Sequence, residues 1–122
     1  MNSYDFFIGD NLNPEWVGVK IRNFASKLSE GKGSLSGTQL RAFYNEFLRI
    51  RDITADISEK VILIKLLAAK ITYRRTAKAS DIPEDMVDFV TQLVNQIGSS
   101  EKRFKQACYL MEAFVGFFPR NK

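Results

Sequence analysis

The chain has 122 residues, 45% hydrophobic and 26% charged, the balance of a folded globular protein at one domain's length. With 0 His and 1 Cys, it excludes Cys/His zinc sites, Ser-His-Asp and Cys-His nucleophiles, and any disulfide framework. A formal charge of +4 and a pI near 9.3 suit a polyanionic partner without requiring one.

Residues 1–10 lack a basic segment and carry Asp5 and Asp10, which is not the pattern of a secretory signal. Residues 1–13 are read as a flexible or loosely docked lead-in. Pro14 then suits the first turn of a helix that places Trp16, Val17, Ile21, Phe24 and Leu28 about one turn apart. Gly31-Lys32-Gly33-Ser34 ends it. Ser36-Gly37-Thr38-Gln39 is a capping-box pattern, in which the Ser oxygen accepts from the N3 amide and the Gln reaches back. Behind it, Leu40, Phe43, Tyr44 and Phe47 follow the i, i+3, i+4, i+7 rule and form one aromatic face.

Asp56 and Glu59 start a third helix, in which residues 60–78 contain neither Gly nor Pro. Its first half is apolar almost all round, from Val61 to Ile71, and so is predicted to be the central helix, packed on several sides. The longest apolar run, residues 61–69, is interrupted by Lys65 and is far short of the ~20 residues that cross a bilayer. Ser80-Asp81-Ile82-Pro83-Glu84 signals a fourth helix carrying Met86, Phe89, Val90, Leu93 and Ile97, with Gly98 as its stop. Ser99-Ser100 opens a fifth, with Phe104, Cys108, Met111 and Val115, which runs out at residues 116–119. Cys108, among apolar neighbours, reads as a buried and inert thiol. Period-2 alternation is nowhere sustained, so no strand is predicted. The predicted fold is all-α: a compact bundle of about five helices with short loops, one domain over residues 1–122.

The +4 is an average over segregated charge. Residues 1–19 carry −3, residues 20–78 carry +8, residues 79–101 carry −5, and residues 102–122 carry +4. The densest cluster is Lys70, Arg74, Arg75 and Lys78, which fit within about 140° of one helix at ~100° per residue. Cations in a last turn are favoured by the helix macrodipole alone. Four of them around Tyr73 also suit nucleic acid, where guanidinium groups meet phosphates and rings stack on bases. Arg41, Asn45 and Arg49 recur every four residues, as either a solvated face or a phosphate-binding stripe. Lys102, Arg103 and Lys105 lie at a helix start, against the macrodipole; a partner or plain solubility explains them equally.

Gly31-Lys32-Gly33 is not a phosphate loop, because no Lys-Ser/Thr follows and no strand precedes it. Asp81, Glu84, Asp85 and Asp88 lie where acids favour a helix start, so they are read as helix-capping charge in preference to a metal site. No pair of groups suggests acid–base catalysis, and the chain is read as having no enzymatic activity and no cofactor.

Three blocks carry a resemblance. They are Leu35-Ser36-Gly37-Thr38-Gln39-Leu40-Arg41-Ala42-Phe43-Tyr44, then Leu66-Leu67-Ala68-Ala69-Lys70-Ile71-Thr72-Tyr73-Arg74-Arg75, then residues 104–118 with Glu112-Ala113-Phe114-Val115-Gly116-Phe117. In this order they resemble the small α-helical subunit of type III-A (Csm) CRISPR interference complexes. Within that resemblance the turn to acid at residues 81–88 is a departure, since family members often stay basic after the Tyr block. The resemblance implies a non-catalytic, cytoplasmic role in antiviral defence. Several copies would stack along guide RNA paired with target RNA, beside other Csm subunits, touching the backbone while base pairing supplies specificity. It implies Arg41, Lys70, Arg74 and Arg75 as phosphate contacts; Arg49 and Lys78 join them on charge, with Lys102, Arg103 and Lys105 as a secondary patch. Gln39 is read as the cap partner of Ser36. The competing expectation is a protein–protein adaptor that self-associates through its opposed basic and acidic faces.

Overall fold

The computed structural model describes residues 4–30, 35–77 and 82–119, with residues 75–77 as backbone only. Among these, five α-helices follow a small N-terminal hairpin: α1 (Val19–Leu28), α2 (Gly37–Asp52), α3 (Ile57–Ala77), α4 (Glu84–Ile97) and α5 (Glu101–Phe117). The all-α reading stands. No described helix is long and apolar enough to cross a membrane.

Local chemistry sets the helix starts. Ser36 Oγ accepts from the Gln39 amide at 3.1 Å while Gln39 Oε1 accepts from the Ser36 amide at 2.9 Å, so two otherwise orphaned N–H groups are satisfied reciprocally. Asp56 caps α3 through the Glu59 amide and Ser100 caps α5 through the Arg103 amide, each at 3.0 Å. The expected start of the fourth helix at Ser80 and Asp81 lies outside the described residues. Gly98 closes α4 at φ +57°, a conformation that disfavours any residue with a Cβ.

Two expectations for the N-terminal residues fail for physical reasons. First, Phe7–Ile8 (β1) pairs antiparallel with Asn11–Leu12 (β2) around Gly9 at φ +62°. Two-residue strands are too short to show alternation in the sequence. Second, the predicted first helix is broken. Pro14–Val17 forms a 3-10 turn, closed when the Asn13 side chain accepts from the Glu15 amide, and α1 begins only after Gly18. Val17 therefore faces solvent while Trp16 is buried.

The described part of the segment before Pro14 is docked from Tyr4 to Asn13. The Tyr4 amide donates to Gln92 Oε1, Gln96 Nε2 donates to the Tyr4 carbonyl at 2.7 Å, and the Leu12 amide donates to Gln106 Oε1. Phe6 is fully buried in an aromatic cluster centred on Phe89. The Phe89 ring lies 5.2 Å from Phe6, 4.7 Å from Phe24 and 5.3 Å from Phe114.

The helix at the centre is α5. It packs against α1, α2, α4 and the N-terminal segment, with Phe104, Ala107, Leu110, Met111 and Phe114 all buried. The all-round apolar α3, expected in that place, lies on the flank against α4 and α2. It buries Val61, Ile64, Leu67 and Ile71 but turns Ile62 and Leu66 outward, both more than half exposed. An apolar circumference needs neighbours on every side, and the described fold supplies α3 with neighbours on one side only.

Candidate nucleic-acid interface

The predicted contact residues sit on α2 and α3, which pack side by side. A groove of about 360 Å³ between them is lined by Glu46, Arg49 and Ile50 of α2 and by Leu63, Leu66, Leu67, Ala69, Lys70 and Tyr73 of α3. A second hollow of about 200 Å³ adjoins it through the shared residues Glu46, Leu67 and Lys70, and adds Gln39 and Arg74. Residues from two helices thus meet: Arg49 of α2 lines the first hollow, Arg74 of α3 lines the second, and Lys70 of α3 lines both. Lys70, Tyr73 and Arg74 are all exposed.

The electrostatics of this rim include an acid that sequence inspection missed. Arg49 forks onto Glu46, with Nε and Nη2 donating to the two carboxylate oxygens at 3.2 and 3.1 Å. That fork, with Arg49's charge and that of Lys70 behind it, holds the Glu46 carboxyl below its ordinary value, so it is ionised at neutral pH. Glu46 therefore offsets part of the positive charge of Arg49. Lys70 and Arg74 carry most of the attraction for an anion at this rim. The i, i+3 spacing of Glu46 and Arg49 was the signal available in the sequence.

The other predicted residues are not all brought to this place. Arg41 is exposed on the outer face of α2, rotated about 80° from Arg49, and lines neither hollow. The side chain of Arg75 and all of Lys78 lie outside the described residues.

The secondary patch divides. Arg103 is half-buried and works as an anchor, donating to the Gly9 carbonyl at 2.7 and 3.1 Å and to the Gln96 carbonyl at 2.6 Å. It also lies over the Phe7 ring and 3.5 Å from Asp10. Its long stem and fork hold the hairpin onto α5, so its guanidinium is engaged within the fold. Lys102 and Lys105 remain exposed, and Lys105 faces Arg51 and Lys60 across a small hollow between α2, α3 and α5. Arg51 and Lys60 were not singled out from the sequence, because this proximity is created only by packing.

The acidic stretch is partly engaged within the fold. Asp85 pairs with Lys27 at 2.9 Å, and Asp88 accepts from Gln92 at 3.4 Å. The opposed acidic face expected of a self-associating adaptor is correspondingly weaker than the raw count of charges.

Cys108 is buried, and removal from water pushes its thiol up to about 11. An aromatic disulfide reagent should leave it unmodified in native buffer at pH 8 and label it fully in denaturant. Rapid stoichiometric labelling of the native chain would contradict this burial.

Among known proteins, the family model described as Csm2 Type III-A matches residues 13–120 of the chain. That span contains all three sequence blocks and both hollows. No curated protein and no solved structure matches the chain.

Proposed function

The chain belongs to the Csm2 Type III-A family, the small subunit of type III-A CRISPR complexes, and from that premise we propose that it contacts RNA through the α2–α3 rim. The observation that carries this reading is the convergence of Arg49, Lys70 and Arg74 on two adjoining hollows from separate helices, with Lys70 lining both. Exposed cations of this kind bind phosphates by charge and counterion release, which follows the backbone and ignores sequence. Such binding suits a subunit in a complex whose guide supplies specificity by pairing. Arg41, Arg75 and Lys78 extend the contact beyond the rim, with Lys102 and Lys105, beside Arg51 and Lys60, as a separate minor patch.

The test is RNA affinity, by fluorescence anisotropy, of the full chain against a variant carrying Lys70→Glu and Arg74→Glu. Wild-type affinity should fall with salt at a log–log slope of about −0.7 per phosphate neutralised. Undiminished binding by the variant would overturn the assignment of this surface.

Stacking of copies completes the reading. Tyr109 and Phe117 on α5 are 57% and 41% exposed. The α2 residues beside Tyr109, which are Tyr44, Leu48 and Arg51, lie on the flank of α2 opposite Glu46 and Ile50. Contacts made there leave the α2–α3 rim open to RNA. Because Asp85 of α4 is already paired with Lys27, an apolar contact should govern association. Size-exclusion chromatography without RNA should show concentration-dependent species that persist at high salt and are lost in a Tyr109→Ser/Phe117→Ser variant. A monomer at every concentration would count against it.

A further inference from the structure

The outward side of α3 carries an apolar stripe that backbone binding leaves without a role. Ile62, Leu66, Ala69 and Tyr73 recur at steps of four, three and four residues, which keeps them on one face of the helix. Ile62, Leu66 and Tyr73 are 57%, 54% and 70% exposed. A partner that covered such surface would gain the free energy of removing it from water. The C-terminal part of the stripe, Leu66 to Tyr73, forms one wall of the groove of about 360 Å³, while Ile50 and Leu63 add apolar surface beside it. The polar side chains of the groove are few: Arg49 and Glu46 on one side, Lys70 and the Tyr73 hydroxyl on the other.

We propose that this groove takes an unpaired RNA base, with its ring against Tyr73 and Leu66 and its neighbouring phosphates on Lys70 and Arg74. The inference rests on the RNA-binding reading above and goes further, from the backbone to the base. A nucleobase has apolar faces and a polar edge, and the groove has the matching arrangement. An aromatic ring and aliphatic wall meet the faces, and the ionised Glu46 carboxylate accepts from an amino group or a ribose hydroxyl. Stacking on an aromatic side chain strengthens binding and is tolerant of sequence, because every base has a π-face. The groove's volume is at the lower end of the ~300–1,000 Å³ that small-ligand pockets occupy, which suits one nucleotide better than a protein segment. The exposed cations beside it favour a polyanion over a neutral helix.

The test compares two oligomers of equal length and charge, an oligoadenylate and an abasic ribose–phosphate chain, binding the full-length protein. Wild type should bind the adenylate about 10-fold tighter. Tyr73→Ala should abolish that difference and keep the affinity for the abasic chain, whereas Tyr73→Phe, which preserves the ring, should retain it. Lys70→Glu should weaken both ligands alike. Because Tyr73 is exposed, the helical circular dichroism of these variants should match wild type.

Equal binding of both oligomers by wild type would overturn the base site and leave the backbone reading standing. Failure of wild type to bind either would overturn both. A Tyr73→Ala variant that weakens both ligands equally would show a role in shape alone and overturn the inference. So would capture of an acidic helical peptide in place of RNA.

Discussion

Reversing Lys70 and Arg74 to glutamate should lower RNA affinity on the order of 100-fold while leaving the protein folded. Each cation that meets a phosphate contributes a charge-assisted hydrogen bond of about 1.5 kcal/mol or more, and reversal adds repulsion where attraction stood. Two such losses reach roughly 3 kcal/mol, or two decades. The salt slope should fall in magnitude by about 1.4, the contribution of two phosphates on a single strand. Folding should be spared, because both side chains are exposed. An Arg41→Glu variant gives the comparison: Arg41 is exposed on α2 but lines neither hollow, so its reversal should cost far less. Equal losses from Arg41 and from the rim would show diffuse attraction by the whole basic body in place of a defined site.

The second large effect concerns stability, and it comes from the segment expected to be loose. Phe6→Ala should destabilise the fold by about 3–5 kcal/mol, lowering the melting temperature by roughly 12–20 °C. Phe6 is fully buried, stacked 5.1 Å from Tyr4 and tilted 57° against Trp16 at 4.9 Å. Its removal leaves a cavity beside three other rings and weakens the seat of the hairpin. Ile8→Ala, two residues on, removes a side chain that is 62% exposed and should change stability by less than about 0.5 kcal/mol. Similar melting temperatures for Phe6→Ala and wild type would mean that the N-terminal segment is not part of the core.

The same aromatic cluster has a pH dependence of known sign. Asp5 accepts from Lys20 and from the Trp16 indole, and these bonds hold its carboxyl below the ordinary value. A carboxyl lowered on folding stabilises the native state above its unfolded value, near pH 4, and that contribution is lost as pH falls through the lower folded value. Asp5 is solvent-accessible, so the effect is small, but Trp16 fluorescence reports it directly.

What was legible in the sequence is what local spacing controls. Ser36 with Gln39, Asp56 with Glu59, and Ser100 each fix a helix start within three residues of themselves, and the caps form as their spacing requires. The basic rim was legible in part, because Lys70 and Arg74 are one helical turn apart. Its restraint by Glu46 was visible only as an i, i+3 pair whose importance depends on where α3 packs. The anchoring of Arg103 was not legible, because its partners, the Gly9 carbonyl and the Phe7 ring, lie more than ninety residues away in the chain.

The absence of histidine and the single cysteine exclude imidazole-based catalysis, Cys/His zinc sites and a disulfide framework whatever the fold. Caps and a 3.6-residue period determined a set of helices, because both act over distances of one or two turns. Tertiary structure alone decided which helix became the centre. Residues on α3 are apolar all round, so periodicity gave no direction for its buried face; packing against α2 and α4 chose one side and left Ile62, Leu66 and Tyr73 outward. The same packing decided which cations remained available. A charge becomes an anchor or a contact according to the groups that distant segments bring within hydrogen-bonding reach, and that information lies between elements, not within them.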